Sequence, residues 1–156
     1  MEARLDLMSR PIVGKIVKHI MSAGKVLQES ATLPVRTQEL VALRISQING
    51  CAVCIDLHTK TAAAKGESAD RLHMVAAWRE ATVFTDAERA ALQLAEQGTR
   101  VADGAPGVSD EAWAYAAEHY DEEQLAALVS LIALMNTVNR LNVIVRRPVG
   151  EVAPAA

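Results

Sequence analysis

Apolar residues along this chain recur mostly at intervals of three and four, which is the spacing of one helix face. No segment shows the strict alternation of apolar and polar residues that a half-buried strand requires. Glycine, proline and capping residues divide the pattern into successive segments. We therefore predict an all-α fold, a single-domain bundle of six to seven helices, at approximately residues 11–29, 35–48, 51–65, 68–78, 85–101, 109–119 and 121–147.

Several of these helices carry recognisable start and stop signals. Thr85 with Glu88, and Asp121 with Gln124, match the capping box that opens a helix. The pair Asn49-Gly50 suits the end of the second helix, because both residues tolerate a left-handed backbone. These signals predict where the chain turns between successive helices.

The longest apolar run lies at 125–135 and is interrupted by Ser130. It is too short to span a bilayer, so we interpret it as a core helix and expect no membrane partner. Asn136, Asn139 and Arg140 follow the run. Their simplest interpretation is a solvated or capped helix end, although they could also line an interface or a site.

The length of 156 residues indicates one domain, which we place at 1–150 with a core motif at 35–66 and a frayed tail at 151–156. Acidic and basic residues are interspersed, the net charge is −3, and no basic tract predicts a nucleic-acid partner. The N-terminus lacks the apolar segment of a secretory signal, so we expect a cytoplasmic protein. In that compartment a cysteine pair is more often catalytic or metal-binding than structural.

The only two cysteines lie one helical turn apart, in the stretch NGCAVCIDLH. On a helix, Cys51 and Cys54 are neighbours at i and i+3, and His58 follows Cys54 at i+4, so all three share one face. Cα atoms at that spacing are roughly 5–6 Å apart, within the range of a disulfide. The first turn of a helix also favours the reactive thiolate, because its unpaired N–H groups stabilise negative charge.

Glu39 belongs to the preceding helix, VRTQELVALRISQI, which is apolar on most of its surface. A helix of this kind is usually buried on most sides. A carboxylate on it is expected to be partly buried, in an environment that suits proton transfer. A tight turn at Asn49-Gly50 makes it possible for Glu39 to face the cysteines, but helical periodicity alone does not place it there.

Residue types alone leave several chemistries open for this cluster. Two thiolates, the imidazole and the Glu39 carboxylate could supply four ligands to zinc, although a structural zinc site usually draws on separate loops or elements. Two inert buried thiols are a further alternative. A haem attachment would need histidine directly after the second cysteine, where Ile55 stands, and a thioredoxin-like site would need a βαβ context.

The pattern Glu39-x11-Cys51-x2-Cys54-x3-His58 resembles the core motif of the alkylhydroperoxidase D (AhpD) and carboxymuconolactone decarboxylase superfamily. The resemblance covers most of the chain, through the segments LRISQINGCAVCIDLHTKTAAAKGE, AAWREATVFTDAERAALQLAE and LVSLIALMNTVNRLNV. One position departs from the namesake, which carries a histidine beside its second cysteine where this chain has Val53. One contributor to the namesake's proton relay is therefore missing.

The resemblance implies an all-helical protomer that assembles as a homotrimer or homohexamer and reduces hydroperoxides in antioxidant defence. Cys54 would be the peroxidatic cysteine and Cys51 the resolving cysteine, with Glu39 and His58 as the proton relay. A dithiol or lipoyl-type electron donor would then reduce the disulfide. The resemblance implies no cofactor and no metal.

Three hypotheses follow from the sequence. The favoured one is a cytoplasmic thiol peroxidase or disulfide oxidoreductase that works through Cys54 and Cys51. The second is a non-redox helical oligomer that binds a metal or has a regulatory role. The third is a carboxymuconolactone-decarboxylase-like enzyme that acts on another small molecule with His58 and Glu39 as acid and base, although the decarboxylase branch generally lacks the cysteine pair.

Overall fold

The computed structural model describes residues 2–30, 32–103 and 107–150, which form seven α-helices and one 3-10 turn and contain no strand. The helices are α1 (Pro11–Glu29), α2 (Val35–Asn49), α3 (Ala52–Ala64), α4 (Ala69–Met74), α5 (Asp86–Thr99), α6 (Asp110–His119) and α7 (Glu122–Val145), and the 3-10 turn is Val75–Ala77. The predicted all-α class is confirmed. The predicted tail at 151–156 lies outside the described residues, as does part of the predicted loop before α6.

The central helix is α2, which packs against α3, α5 and α7. Val41 and Ile45 on α2 have no exposed surface and belong to the same buried cluster as Ala91 of α5 and Leu128 of α7. Small alanine side chains allow helices to approach closely, and interiors pack densely without aromatic bulk. The burial of α2 places its single acidic residue, Glu39, inside the bundle.

The helix ends follow the predicted signals with two differences. Both capping boxes are present, and Gly50 ends α2 in a left-handed conformation with φ 66°. The third helix begins at Ala52, so Cys51 precedes it rather than lying in its first turn. The segment predicted as a helix at 68–78 is α-helical only to Met74 and then tightens into the 3-10 turn. The carbonyl groups that follow the turn, those of Trp78, Arg79 and Ala81, accept hydrogen bonds from the guanidinium of Arg89.

The longest helix, α7, is long and apolar enough to cross a bilayer by length and composition alone, a test that buried helices of soluble proteins also pass. Its buried side carries both apolar residues and asparagines. Asn136 and Asn139 are 9% and 0% exposed. The interpretation of these two residues as a solvated helix end is therefore wrong, since each is enclosed and hydrogen-bonded to a neighbouring helix.

Candidate active site

Cys51 and Cys54 are joined by a disulfide at the start of α3, with their Cα atoms 5.3 Å apart. Cys51 has an extended backbone before the helix, and Cys54 lies in the first turn. The amide N–H of Cys51 donates to the carbonyl oxygen of Ser46 at 2.9 Å, which ties the end of α2 to the start of α3. Both cysteines are buried. The Cα separation is ordinary for a disulfide, so the pair can form its bond in place.

Glu39 on α2 and His58 on α3 form a hydrogen-bonded pair, with Oε2 of the carboxylate 2.8 Å from Nδ1 of the imidazole. Because a carboxylate only accepts, Nδ1 carries the proton and Nε2 is the basic nitrogen of the neutral ring. The ammonium of Lys65 lies 3.6 Å from Oε1 of Glu39. His58 follows Cys54 by four residues, so both side chains lie on one side of α3. The structure thus brings the four predicted site residues to the junction of α2 and α3.

Asn142 on α7 is a site residue that the sequence analysis missed. Its side-chain Nδ2 donates to Sγ of Cys54 at 3.3 Å and lies 3.9 Å from Sγ of Cys51. The residue is buried, so this N–H is directed at the sulfurs rather than at solvent. The available signal was the recurrence of asparagine at every third position, 136, 139 and 142, within an otherwise apolar helix.

A polar seam made of Ser46, Asn49, Asn136 and Asn139 joins α2 to α7 next to the disulfide. Nδ2 of Asn49 lies 3.0 Å from Oδ1 of both Asn136 and Asn139. Asn139 in turn donates to the hydroxyl of Ser46 at 3.3 Å. Buried polar groups of this kind are costly unless they are paired, so the seam fixes the register of α7 against α2.

The disulfide state of the site offers no thiolate to a metal. The sulfurs of Cys51 and Cys54 are bonded to each other, and Nδ1 of His58 is engaged by Glu39. Within the described residues, no group of three or more His, Cys, Asp or Glu side chains is placed to hold a metal ion. The arrangement instead provides a reversible dithiol, a carboxylate–imidazole pair and an amide donor at the sulfurs.

The helical bundle and its cysteine pair define the class of protein. Residues 16–97 match the carboxymuconolactone decarboxylase family, and the chain belongs to that family. The matched span contains α2, α3 and all four predicted site residues. The family predicted from the motif is confirmed.

Individual relatives are similar over most of their length. The chain is 39% identical over 127 residues to YdfG, an uncharacterized protein of Bacillus subtilis, which covers 81% of this chain and 84% of YdfG. A crystal structure from Agrobacterium tumefaciens matches with a TM-score of 0.87 and 31% identity, over 95% of this chain and 98% of that one. That protein is of unknown function, with a suggested role as the antioxidant defence protein AhpD. The debrominase Bmp8 shares the fold, with a TM-score of 0.75 and 18% identity over 88% of this chain and 73% of its own.

Proposed function

We propose that the chain is a thiol-dependent peroxidase or disulfide oxidoreductase of the AhpD type, which reduces hydroperoxides through Cys54 and Cys51. The observation that carries this proposal is the Cys51–Cys54 disulfide at the start of α3, the helix that also holds His58, whose Nδ1 is paired with the buried carboxylate of Glu39. A dithiol that closes in place and a base of defined tautomer are the two parts that thiol-based peroxide reduction requires.

In the proposed reaction, the Cys54 thiolate attacks the terminal oxygen of a hydroperoxide. The O–O bond breaks, Cys54 becomes a sulfenic acid, and the alkoxide takes up a proton and leaves as an alcohol. Cys51 then attacks the Cys54 sulfur, hydroxide leaves as water, and the disulfide forms. Two electrons pass from the dithiol to the peroxide, and an external dithiol or lipoyl-type donor restores the thiols.

The proposed proton path runs through His58. Its Nε2 accepts the thiol proton of Cys54, and Glu39 stabilises the resulting imidazolium through Nδ1. The N–H of Asn142 at 3.3 Å from the Cys54 sulfur favours a negative charge on that atom, as hydrogen bonding to a charged form does in general. The proposed path does not use the histidine that the namesake carries at the position of Val53.

The test is to trap the sulfenic acid. In Cys51→Ser the resolving thiol is absent, so peroxide and a sulfenic-specific reagent should give an adduct at Cys54, read by mass spectrometry of the peptide. Wild-type protein should instead lose two hydrogen atoms as the disulfide closes, and Cys54→Ser should give no adduct. Absence of the adduct at Cys54 would refute the peroxidase proposal, and turnover by a variant with both cysteines replaced would favour the third hypothesis.

We further propose that the protein is cytoplasmic, where reducing thiols are available, and that it assembles as a homotrimer or homohexamer. α1 supports self-association, because it buries no residue fully, and Ile12, Ile16 and Val26 form an exposed face within about 80° of one another. Exposed apolar patches of this kind mark association surfaces.

The mass of the particle tests the assembly. Light scattering is expected to give three or six times the chain mass of 16.8 kDa. Ile16→Glu should lower that mass by placing a charge in the α1 face, whereas Lys18→Glu, on the other side of the same helix, should leave it unchanged. A monomer mass for the wild-type protein would refute the assembly, and fractionation of cells would test the location.

A further inference from the structure

A cavity of about 720 Å³ opens on the Cys51 side of the disulfide. Cys51 lies in its wall, whereas Cys54 is not among the described lining residues. Arg4, Arg146 and Arg147 also line the cavity, and the described lining residues include no Asp or Glu. The volume is in the range of small-molecule sites, and the charge of the wall favours a negatively charged occupant.

Arg146 occupies a backbone conformation that is unusual for its residue type. With φ 56° and ψ 52°, it is the one non-glycine residue with positive φ in the described part of the chain. It caps the C-terminus of α7, a position where glycine is the common choice because it has no Cβ. An arginine in a strained conformation in the wall of a cavity is an indication that its side chain serves a function there.

Arg4 reaches the same cavity from the N-terminal segment. One of its guanidinium nitrogens donates to the carbonyl oxygen of Ile144 at 3.1 Å, and its backbone N–H donates to the carbonyl oxygen of Val145 at 2.9 Å. These two bonds anchor the residue against the end of α7. A guanidinium has five N–H groups in a fixed plane, so further donors remain for a carboxylate.

We propose that the cavity binds a small thiol reductant that carries a negatively charged group, such as a carboxylate, and directs its thiolate to Cys51. The inference rests on the proposed redox function, in which the disulfide must be reduced after each turnover. Val143, Pro148 and Val149 supply apolar wall for the body of such a molecule. Cys51 is only 1% exposed and lines this cavity, which provides a route for the reductant.

The reduction follows thiol–disulfide exchange. The reductant's thiolate attacks Sγ of Cys51, the S–S bond breaks, and Cys54 leaves as a thiolate. The thiolate of a second reductant molecule then attacks the reductant's sulfur in this mixed disulfide. Cys51 leaves as a thiolate, and the two reductant molecules form a symmetrical disulfide. Asn142 lies nearer to the sulfur of Cys54 (3.3 Å) than to that of Cys51 (3.9 Å), so its N–H stabilises the sulfur that leaves.

The test compares thiols of different charge as reductants of the wild-type disulfide. Rates with 3-mercaptopropionate, 2-mercaptoethanol and cysteamine are normalised for thiolate fraction and nucleophilicity, and reduction is followed by alkylation and mass spectrometry. We expect the ratio of the mercaptopropionate rate to the mercaptoethanol rate to exceed one and to fall as salt is added. It should also exceed the ratio of the cysteamine rate to the mercaptoethanol rate. Arg146→Gly should lower the ratio about threefold to tenfold.

The controls separate charge from fold. Arg146→Gly relieves a left-handed arginine, so its resistance to urea should match or exceed that of the wild type. Arg146→Lys keeps the charge and should keep most of the ratio, and Lys15→Gln removes an exposed charge outside the cavity and should not change it. Equal ratios in wild type and Arg146→Gly would overturn the anion site while leaving sulfenic trapping at Cys54 intact. If Cys51→Ser gives no sulfenic adduct while Arg146→Gly still lowers the rate ratio, the peroxidase proposal is refuted and the anion site is retained.

Discussion

Glu39→Gln is expected to slow the oxidation of Cys54 by peroxide about a hundredfold to a thousandfold. Glutamine keeps the size of the side chain and still offers a carbonyl oxygen to Nδ1 of His58. It removes the negative charge that stabilises the imidazolium formed when His58 takes the thiol proton. Because Glu39 is 6% exposed, water cannot readily replace the lost carboxylate.

The measurement is a single-turnover rate of disulfide formation in pre-reduced protein mixed with peroxide, recorded across a range of pH. The slow rate of Glu39→Gln should partly recover at high pH, where hydroxide removes the thiol proton without help from His58. Lys65→Gln is the matched control, since Lys65 contacts the other carboxylate oxygen from the surface and should change the rate only slightly. A wild-type rate and pH profile in Glu39→Gln would exclude the Glu39–His58 pair from the proton path.

The positions of the helices along the chain were predictable because the signals that start and end them are local. The capping boxes at Thr85 and Asp121 and the left-handed Gly50 involve residues within one turn of each other. The one-residue shift at Cys51 reflects the same locality, since the N–H of the extended Cys51 donates a hydrogen bond to the carbonyl oxygen of Ser46. The all-α class and the helix boundaries follow from such short-range chemistry, whereas the choice of which helices pack together does not.

The candidate site was predictable in part for the same reason. Cys54 and His58 share α3 and Cys51 directly precedes it, so their spacing along the chain brings them together. The partner of His58 is 19 positions away on another helix. The apolar helix around Glu39 predicted a buried carboxylate, but only the family motif related Glu39 to His58. Asn142 is 88 positions from Cys54, and no spacing rule relates residues that far apart.

A second buried charge cluster, formed by Glu67, Arg71 and Glu88, stabilises the side of the bundle built from α4 and α5. Nε of Arg71 lies 2.9 Å from Oε1 of Glu67, and its Nη2 lies 2.6 Å from Oε1 of Glu88. The guanidinium also donates to the carbonyl oxygen of Val83 and lies over the ring of Phe84, 5.0 Å from its centroid. A single side chain therefore pairs with two carboxylates and also binds the segment between the two helices.

The balance of forces on Arg71 shows why the cluster is stable only as a unit. Burial disfavours the charged guanidinium, but the hydrogen bonds with Glu88 and Glu67 outweigh that cost and raise the pKa of Arg71. The side chains of Glu67 and Glu88 are 5% and 8% exposed. Their carboxylates depend on the guanidinium for the compensation that water provides at a surface.

Arg71→Met is accordingly expected to lower the free energy of unfolding by about 3–5 kcal/mol, because methionine fills space but leaves two buried carboxylates short of a cation. Urea denaturation at constant protein concentration measures the loss. Arg36→Met removes a contact to the same Glu67 from a side chain that is 57% exposed, and should cost about 1 kcal/mol or less. Adding Glu67→Gln to Arg71→Met should restore part of the stability, since one unpaired charge disappears. Equal losses for the two arginine variants would show that the cost comes from the number of ion pairs rather than from the buried charge that is left without a partner.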